Sequence, residues 1–194
     1  MKSTIFSETH LLSFGENYSL HLPHLEHAEE LFQLVDKNRA YLSQWLEWVQ
    51  WTKEVKDTEE FTVKSIEQNE NREQLDTTIF AGERIVGKIG FIKLNHKYKS
   101  AEIGYWLSED EQGRGIMTQA VKALMKYGFE TFDLNRIVIG ANAENWSSRN
   151  IPERLGFQFE GTFRQDRFYG GQFWDSVVYS KLRWEWEEEN KKKD

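Results

Sequence analysis

The chain has 194 residues, of which 29% are charged and 14% aromatic; it contains two prolines and no cysteine, and its formal net charge is -7. A chain of this length can fold as one domain with a sizeable core, and the low proline content argues against long linkers. The absence of cysteine excludes a disulfide framework, a thiolate metal site and a cysteine nucleophile. The acidic charge balance argues against nucleic-acid binding, which requires a basic surface to meet the phosphates.

Neither end of the sequence carries a recognisable targeting segment. Met1–Glu8 is polar throughout and lacks the apolar core of a signal peptide. The apolar runs are a few residues long, whereas a membrane-spanning helix needs ~20 residues. We therefore expect a soluble, cytoplasmic protein without a membrane partner, whose lysine-rich end, Lys191–Lys193, is frayed and solvated.

The first half of the chain predicts one strand, a long helical region and a hairpin. Tyr18–Leu22 alternates between polar and apolar residues as a strand does, and the apolar spacing from Leu25 to Trp51 is helical. Thr58 is a candidate N-cap for the next helix. Thr77–Ala81 and Ile85–Leu94 then pair as a hairpin across a short turn.

The second half of the chain mixes strands and helices, and Ser148 and Gly156 are the candidate N-cap and C-cap of its second helix. The predicted elements are a strand at Ala101–Leu107, a helix at Gly115–Phe132, a strand at Arg136–Ala141, a helix at Arg149–Leu155, and strands at Phe157–Arg167 and Phe173–Leu182. This order predicts an α+β fold, in which helices pack on a mostly antiparallel sheet.

The segment Ala101–Thr118 combines a strand, a short acidic loop, the run Gln112-Gly113-Arg114-Gly115 and the start of a helix. Glycines allow the backbone to approach a ligand closely, and the N–H groups at a helix N-terminus bind anions. We therefore expect a phosphate or pyrophosphate on the amides of residues 113–118; the alternative is a tight turn without a ligand. The spacing matches neither a P-loop nor G-x-G-x-x-G, because Thr118 stands in place of the third glycine.

Three sequence blocks resemble one known family. Gln112-x-x-Gly115-x-Met117 resembles the Q/R-x-x-G-x-G/A signature of the GNAT N-acetyltransferases. Ala101–Leu107 and the block from Asn145 to Phe157 resemble its RimJ/RimL branch, which acetylates N-terminal amines of ribosomal proteins among other substrates. The resemblance covers residues 18–186. It implies a single GNAT domain over residues 1–194, with a mixed, mostly antiparallel central sheet of about six or seven strands flanked by helices.

The resemblance implies acetyl-CoA as cosubstrate and no metal. The pantetheine arm would pair with the end of the strand at Trp106 and Leu107, which in the family splays from the next strand. Asn145 would hold the pantetheine, or else serve as a turn or N-cap residue. The side chain of Arg114 would assist the phosphates or lie in solvent. The amides that would bind the pyrophosphate are those of Gln112, Gly113, Arg114, Gly115, Ile116, Met117 and Thr118.

Acyl transfer to an amine requires a base, a polarised carbonyl and a proton for the leaving thiolate. Without cysteine, direct attack of the amine on acetyl-CoA is the simplest route. Glu102 is the candidate base, since strand alternation places it on one face with Gly104 and Trp106; the alternative is a carboxylate that only attracts a cation. Many family members have a tyrosine acid where this chain has Pro152, so Ser148 becomes the candidate acid, and a helix cap is its alternative role.

Aromatic residues are the candidates for the acceptor site. Trp45, Trp48 and Trp51 recur every three residues, and we expect two in the core and one lining a groove. Tyr105 and Trp174 are further candidates, each of which a place in the core would equally explain. We expect acetylation of a primary amine, first the N-terminus of a ribosomal protein; the alternatives are a polyamine or aminoglycoside, or a non-catalytic acyl-CoA-binding module. The oligomeric state stays open, with a homodimer as one alternative.

Overall fold

The computed structural model describes residues 8–191. Contacts divide the chain into two compact units. The first unit contains the described residues up to Gly90 together with Tyr105–Ala120, and the second contains Phe91–Gly104 and the described residues from Val121 onward. No helix in the described part of the chain is long and apolar enough to cross a membrane.

Residues 8–191 contain eight β-strands, six α-helices and short 3-10 helices at Leu25–His27, Glu47–Gln50 and Glu109–Glu111. The strands are β1 His10–Phe14, β2 Tyr18–His21, β3 Leu75–Ala81, β4 Arg84–Asn95, β5 Ser100–Leu107, β6 Arg136–Asn142, β7 Gln158–Tyr169 and β8 Gln172–Leu182. The helices are α1 Ala28–Lys37, α2 Arg39–Leu42, α3 Val55–Glu70, α4 Ile116–Glu130, α5 Trp146–Arg154 and α6 Arg183–Lys191.

The strands form one sheet in the order β1-β2-β3-β4-β5-β6-β8-β7. β5 and β6 pair in parallel, whereas β1–β2, β2–β3, β6–β8 and β7–β8 are antiparallel. The predicted α+β class with a mostly antiparallel sheet is confirmed, but the expected six or seven strands become eight within the described residues. The sequence prediction misses β1 because the five residues of this short edge strand, His10–Phe14, do not alternate regularly between polar and apolar types. The register of β1 against β2 is irregular as well.

The helical region predicted for Leu25–Trp51 is broken in the first unit. α1 ends at Asn38, a buried residue whose side-chain amide donates to the carbonyl of Leu34 at 2.8 Å. The amide oxygen of Asn38 accepts a hydrogen bond from the backbone N–H of Glu109 at 2.9 Å. Apolar periodicity alone does not show this break, because a buried asparagine that bonds the main chain interrupts the helix without interrupting the apolar pattern.

The N-cap of α3 is Glu54, and the expectation that Thr58 caps this helix is wrong. Glu54 and Asp57 form a capping box, in which the Asp57 carboxylate accepts from the backbone N–H of Glu54 at 2.9 Å and that of Lys53 at 2.7 Å. These hydrogen bonds lower the pKa of Asp57. Thr58 lies buried inside the first turn, so its good cap chemistry is not used at the helix start.

Helix α6 of the second unit reaches Lys191, the first lysine of the segment that was expected to be frayed. The ammonium group of Lys181, almost fully buried, contacts the Glu189 carboxylate of α6 and donates to the carbonyl of Gly156 at 2.9 Å. The ring of Trp186 packs 5.3 Å from that of Phe129. These contacts anchor α6 through Lys191, while the remaining lysines of the predicted frayed end lie outside the described residues.

Candidate active site

The glycine-containing loop that precedes α4 has the backbone conformation expected of an anion site. Gly113 and Gly115 both have φ +73°, a region that favours glycine, and no atom lies within 4 Å of the position a Cβ would take in either residue. The N–H groups of a helix's first turn have no intrahelical carbonyl partner, and in α4 the N–H of Gln119 bonds the carbonyl of Gly115 at 3.1 Å. An anionic group can therefore come close to the amides around this loop.

Side chains on either side of the two loop glycines are held by contacts within the first unit. Gln112 donates its amide N–H to the hydroxyl of Tyr41. Ile116 and Met117 are buried, which explains a large methionine where the family pattern has glycine or alanine. Thr118 is half-buried. The loop thus exposes main chain while its flanking side chains are held in place.

Arg114 is engaged by a buried carboxylate. Its Nη1 donates to Glu111 Oε2 at 3.0 Å, and Arg84 donates to the other Glu111 oxygen at 2.6 Å. The side chain of Glu111 is only 4% exposed, so the two guanidinium groups satisfy a carboxylate that would otherwise be costly to bury. The side chain of Arg114 is therefore held by its ion pair with Glu111 and is not simply surrounded by solvent. Its contact with phosphate stays a prediction.

Strand β5 shows the predicted alternation over its first half. Ala101 and Ile103 are buried, whereas Glu102 and Gly104 are half-buried on the opposite face. Leu107 is buried again at the end of the strand, and Tyr105 and Trp106 are both half-buried. The parallel pairing of β5 with β6 covers only Ser100–Ile103 on β5 and Arg136–Ile139 on β6, although both strands continue beyond it.

Glu102 is a half-buried carboxylate with two different environments. Its Oε2 accepts from the ammonium group of Lys93 at 2.6 Å, and that lysine side chain is 73% exposed. Its Oε1 lies 3.6 Å from the position that a Cβ of Gly140 would occupy. Because glycine places no side chain there, one oxygen of Glu102 borders an open position on the face of β6. This arrangement is compatible with a group that accepts a proton from a substrate.

The start of α5 corrects the expected role of Ser148. The N-cap is Asn145, whose side-chain oxygen accepts from the backbone N–H of Ser148 at 3.0 Å, so α5 begins at Trp146. Pro152 therefore lies inside α5 rather than in its first turn. The side chain of Ser148 is half-buried, and its role as an acid stays a prediction.

A stacked pair at the start of α5 has no counterpart among the sequence predictions. The guanidinium group of Arg149 lies 3.9 Å from the ring centroid of Trp146, which is 57% exposed. Arg149 also donates to the carbonyl of Ala143 at 2.6 Å. The three-residue spacing of Trp146 and Arg149 on a helix is the signal that could have identified the pair.

The expectation that two of the three tryptophans at positions 45, 48 and 51 are buried is wrong. Trp45 is half-buried, Trp48 is 39% exposed and Trp51 is 65% exposed. The three-residue spacing has no helix to support it, because α2 ends at Leu42 and a separate 3-10 helix follows. The ring of Trp48 lies 6.0 Å from that of Trp106, so the first unit carries a partly exposed aromatic surface.

The β7–β8 hairpin of the second unit holds Trp174, half-buried, against Tyr169. The two rings stack at 5.6 Å with an interplanar angle of 18°, and the Trp174 indole N–H donates to the carbonyl of Tyr169 at 3.2 Å. The Tyr169 hydroxyl accepts a hydrogen bond from the side-chain amide of Asn142 on β6. Burial raises the pKa of Tyr169, and the Asn142 hydrogen bond partly opposes this rise. Asn142 and the Tyr169 hydroxyl are not among the candidate residues predicted from the sequence.

Comparisons with known proteins identify the family to which this fold belongs. The acetyltransferase (GNAT) domain family model matches residues 19–158. The chain is 32% identical over 178 residues to the ribosomal-protein-serine acetyltransferase of Escherichia coli (strain K12), covering 90% of this chain and 97% of that protein. The structure of RimL, a ribosomal L7/L12 alpha-N-protein acetyltransferase in complex with coenzyme A, has a TM-score of 0.85 and 29% identity and covers 88% and 98% of the two chains. The microcin C7 self immunity acetyltransferase MccE, in complex with acetyl-CoA and AMP, has a TM-score of 0.82 and 31% identity and covers 87% and 93%.

The chain therefore belongs to the GNAT acetyltransferase family, which confirms the resemblance inferred from its sequence blocks. It is an acetyl-CoA-dependent N-acetyltransferase, similar over nearly its full length to ribosomal-protein acetyltransferases. The RimL structure contains coenzyme A in a disulfide with a cysteine of that protein. This chain cannot form such a bond, because it has no cysteine.

Proposed function

We propose that this enzyme acetylates the N-terminal amine of a protein, with a ribosomal protein as the first choice of acceptor. The observation that carries the amine chemistry is Glu102, a half-buried carboxylate with one oxygen beside the open position at Gly140. The likeness to a ribosomal-protein-serine acetyltransferase spans 97% of that protein, which supports a similar acceptor. The formal net charge of -7 favours a cationic amine.

The chain's own residues supply the cosubstrate site in this proposal. Acetyl-CoA supplies an acetyl group activated as a thioester. The amides of residues 112–118 bind its pyrophosphate at the open face of Gly113 and Gly115. The main chain at Trp106 and Leu107 bonds the pantetheine arm and polarises the thioester carbonyl, and Asn145 contributes to the same arm.

Replacing Gly115 by alanine tests the cosubstrate site. An L-residue at φ +73° costs about 1–2 kcal/mol of stability, and the added methyl group occupies the open space above the amides. We expect the KM for acetyl-CoA to rise about 10-fold. Gly82→Ala is the matched control, since Gly82 has φ +59° in the β3–β4 turn. An equal rise of the KM for acetyl-CoA in both variants would mean that the loop at Gly115 is not part of the cosubstrate site.

In this proposal, Glu102 takes a proton from the amine acceptor and partly exposed aromatic side chains contact it. Glu102 takes the proton that the amine nitrogen loses as it attacks the carbonyl carbon. The proposed acceptor contacts are Trp45, Trp48, Tyr105 and Trp174, since each side chain is partly exposed. Ser148 is the proton donor that the family resemblance suggests.

An acceptor panel tests the proposed function. The measurement is the release of free thiol from acetyl-CoA in the presence of a synthetic peptide that begins with serine, the same peptide with a blocked N-terminus, spermidine or kanamycin. We expect release with the free-amine peptide and none with the blocked peptide, and mass spectrometry should locate the acetyl group on the N-terminal nitrogen. Release with spermidine or kanamycin alone would assign the enzyme to small amines instead.

A further inference from the structure

Strand β6 brings two titratable groups to one face of the second unit. The half-buried residues Val138, Gly140 and Asn142 alternate with buried ones, so they share that face. Glu102 pairs with Val138 and directs Oε1 toward Gly140. Two residues further along β6, Asn142 donates its side-chain N–H to the hydroxyl of Tyr169. Gly140, which the Glu102 carboxylate borders, and Asn142, which binds the Tyr169 hydroxyl, are two residues apart on β6, a spacing of about 7 Å along the strand.

The contacts around Tyr169 fix the direction of its hydroxyl proton. A phenol has one O–H donor, and its oxygen also accepts. The oxygen of Tyr169 accepts from Asn142, whose own amide oxygen is held by the backbone N–H of Glu144 at 2.7 Å. The stacking of Tyr169 on Trp174 holds the ring. Because the side facing Asn142 is occupied by a donor, the hydroxyl proton is directed away from Asn142. The raised pKa of Tyr169 keeps this proton on the oxygen at neutral pH.

The spacing of the two β6 positions that these groups contact is of the size that one acyl-transfer centre needs. The attacking nitrogen and the leaving sulfur are both bonded to the same carbon during transfer. A base and an acid that serve them from hydrogen-bond distance, about 3 Å each, therefore stand about 6–8 Å apart. The β5–β6 pairing also ends at Ile139, next to Gly140, where the main chain of β6 continues without β5.

We infer that Tyr169, rather than the Ser148 that the family resemblance suggests, is the catalytic residue that gives a proton to the leaving sulfur of coenzyme A, while Glu102 receives the proton of the attacking amine. This inference rests on the proposed function, and Pro152 cannot perform the same task because it has no donor. In the step, the nitrogen–carbon bond forms and the carbon–sulfur bond breaks. One proton passes from nitrogen to Glu102 and one from Tyr169 to sulfur, which yields the amide and the thiol. Glu102 then returns its proton to the phenolate through water.

The variant Tyr169→Phe tests this inference, since phenylalanine keeps the ring that stacks on Trp174 and removes only the hydroxyl. We expect kcat to fall about 100-fold, with the Kd for acetyl-CoA and the KM for the acceptor unchanged. The solvent deuterium isotope effect on kcat should also become smaller. Tyr98→Phe is the matched control, because Tyr98 is 67% exposed and has no place in the proposed site. Thermal unfolding of both variants should follow the wild type.

Two results would overturn the role of Tyr169. One is an unchanged kcat together with an unchanged KM for the acceptor in Tyr169→Phe. The other is an unchanged kcat with a raised KM for the acceptor, which would make Tyr169 a recognition residue. The acceptor proposal fails separately, if the wild type acetylates neither the serine peptide nor spermidine. In that case the comparison is made on the hydrolysis of acetyl-CoA by the wild type and the variant, because the departing sulfur needs the same proton.

Discussion

Glu102 and Glu160 lie on the same face of the second unit's sheet but are held in different ways. Both oxygens of Glu160 accept from the guanidinium group of Arg136 at 2.6 Å, and the hydroxyl of Ser180 donates to it as well. These hydrogen bonds, that of Arg136 first, lower the pKa of Glu160 to about 2. Glu102 has an ion pair with Lys93, a side chain that is 73% exposed.

The difference shows that the number of hydrogen-bond donors, rather than burial, determines how firmly each carboxylate is held in its ionised form. Glu160 is the more exposed side chain, 38% against 20% for Glu102. Burial alone would therefore favour Glu160 as the group free to react. A bidentate arginine pair resists protonation, whereas an ion pair with one solvated lysine is weak and easily exchanged. Glu160 therefore ties β7 to β6, whereas the contacts of Glu102 are consistent with its proposed role as a base.

Replacing Glu102 by glutamine should produce the largest effect on activity. The amide keeps the shape of the side chain but cannot take a proton from the amine, so we expect kcat to fall about 100-fold. The affinity for acetyl-CoA should not change. Steady-state kinetics and a direct binding measurement with acetyl-CoA check the two parts.

Lys93→Met is the control for that variant. It removes the ion pair of Glu102 and leaves the carboxylate, so we expect a small change in kcat and a change in stability of less than about 0.5 kcal/mol. Unchanged turnover in Glu102→Gln would exclude Glu102 as the base. An equal loss in Lys93→Met would mean that the ion pair, rather than the carboxylate, is required.

The parts of the site that depend on consecutive residues could be predicted from the sequence. Gly113 and Gly115 need positive φ, and the helix after them supplies amides, so the anion loop depends on local chain chemistry. Gly156 depends on local chain chemistry in the same way, because its φ of +68° suits the end of a helix, although the C-cap of α5 is Leu155, one residue before the predicted position. Alternation along β5 likewise placed Glu102 correctly on the half-buried face.

The parts that depend on distant residues could not be predicted. Asn142 and Tyr169 are 27 positions apart and meet only because β8 pairs with both β6 and β7. At the start of α5, Asn145 and Ser148 are both good N-cap residues three positions apart, and the sequence offers no means to choose between them. The break of the first helical region at Asn38 depends on its bond to Glu109, which is distant in sequence.

Glu160→Gln should affect stability rather than activity, in contrast to Glu102→Gln. The amide loses the charge that binds Arg136, so one strong bidentate pair becomes a weaker hydrogen bond. Because the Glu160 side chain is 38% exposed, we expect the free energy of unfolding to fall by about 1 kcal/mol, with kcat unchanged. Denaturant unfolding and steady-state kinetics measure the two quantities. A 100-fold loss of kcat in this variant, without unfolding, would contradict the separation of the two carboxylates.

The pH dependence of stability is expected to show the smallest effect. It tests the role of the Glu160 ion pair, in contrast to Glu102, without a kinetic measurement. The pKa of Glu160 falls from an ordinary value near 4.5 to about 2 in the folded protein, so the unfolded chain binds the proton more readily. The stabilisation by Glu160 is then complete above pH 4.5 and is lost as the pH falls toward 2. Because the side chain is 38% exposed and screened by water, we expect this contribution to be about 1 kcal/mol. Denaturant unfolding of the wild type and of Glu160→Gln from pH 6 downward measures it. The two stability curves should converge as the pH falls, and a constant gap between them would show that the ion pair with Arg136 is not the source of the stabilisation.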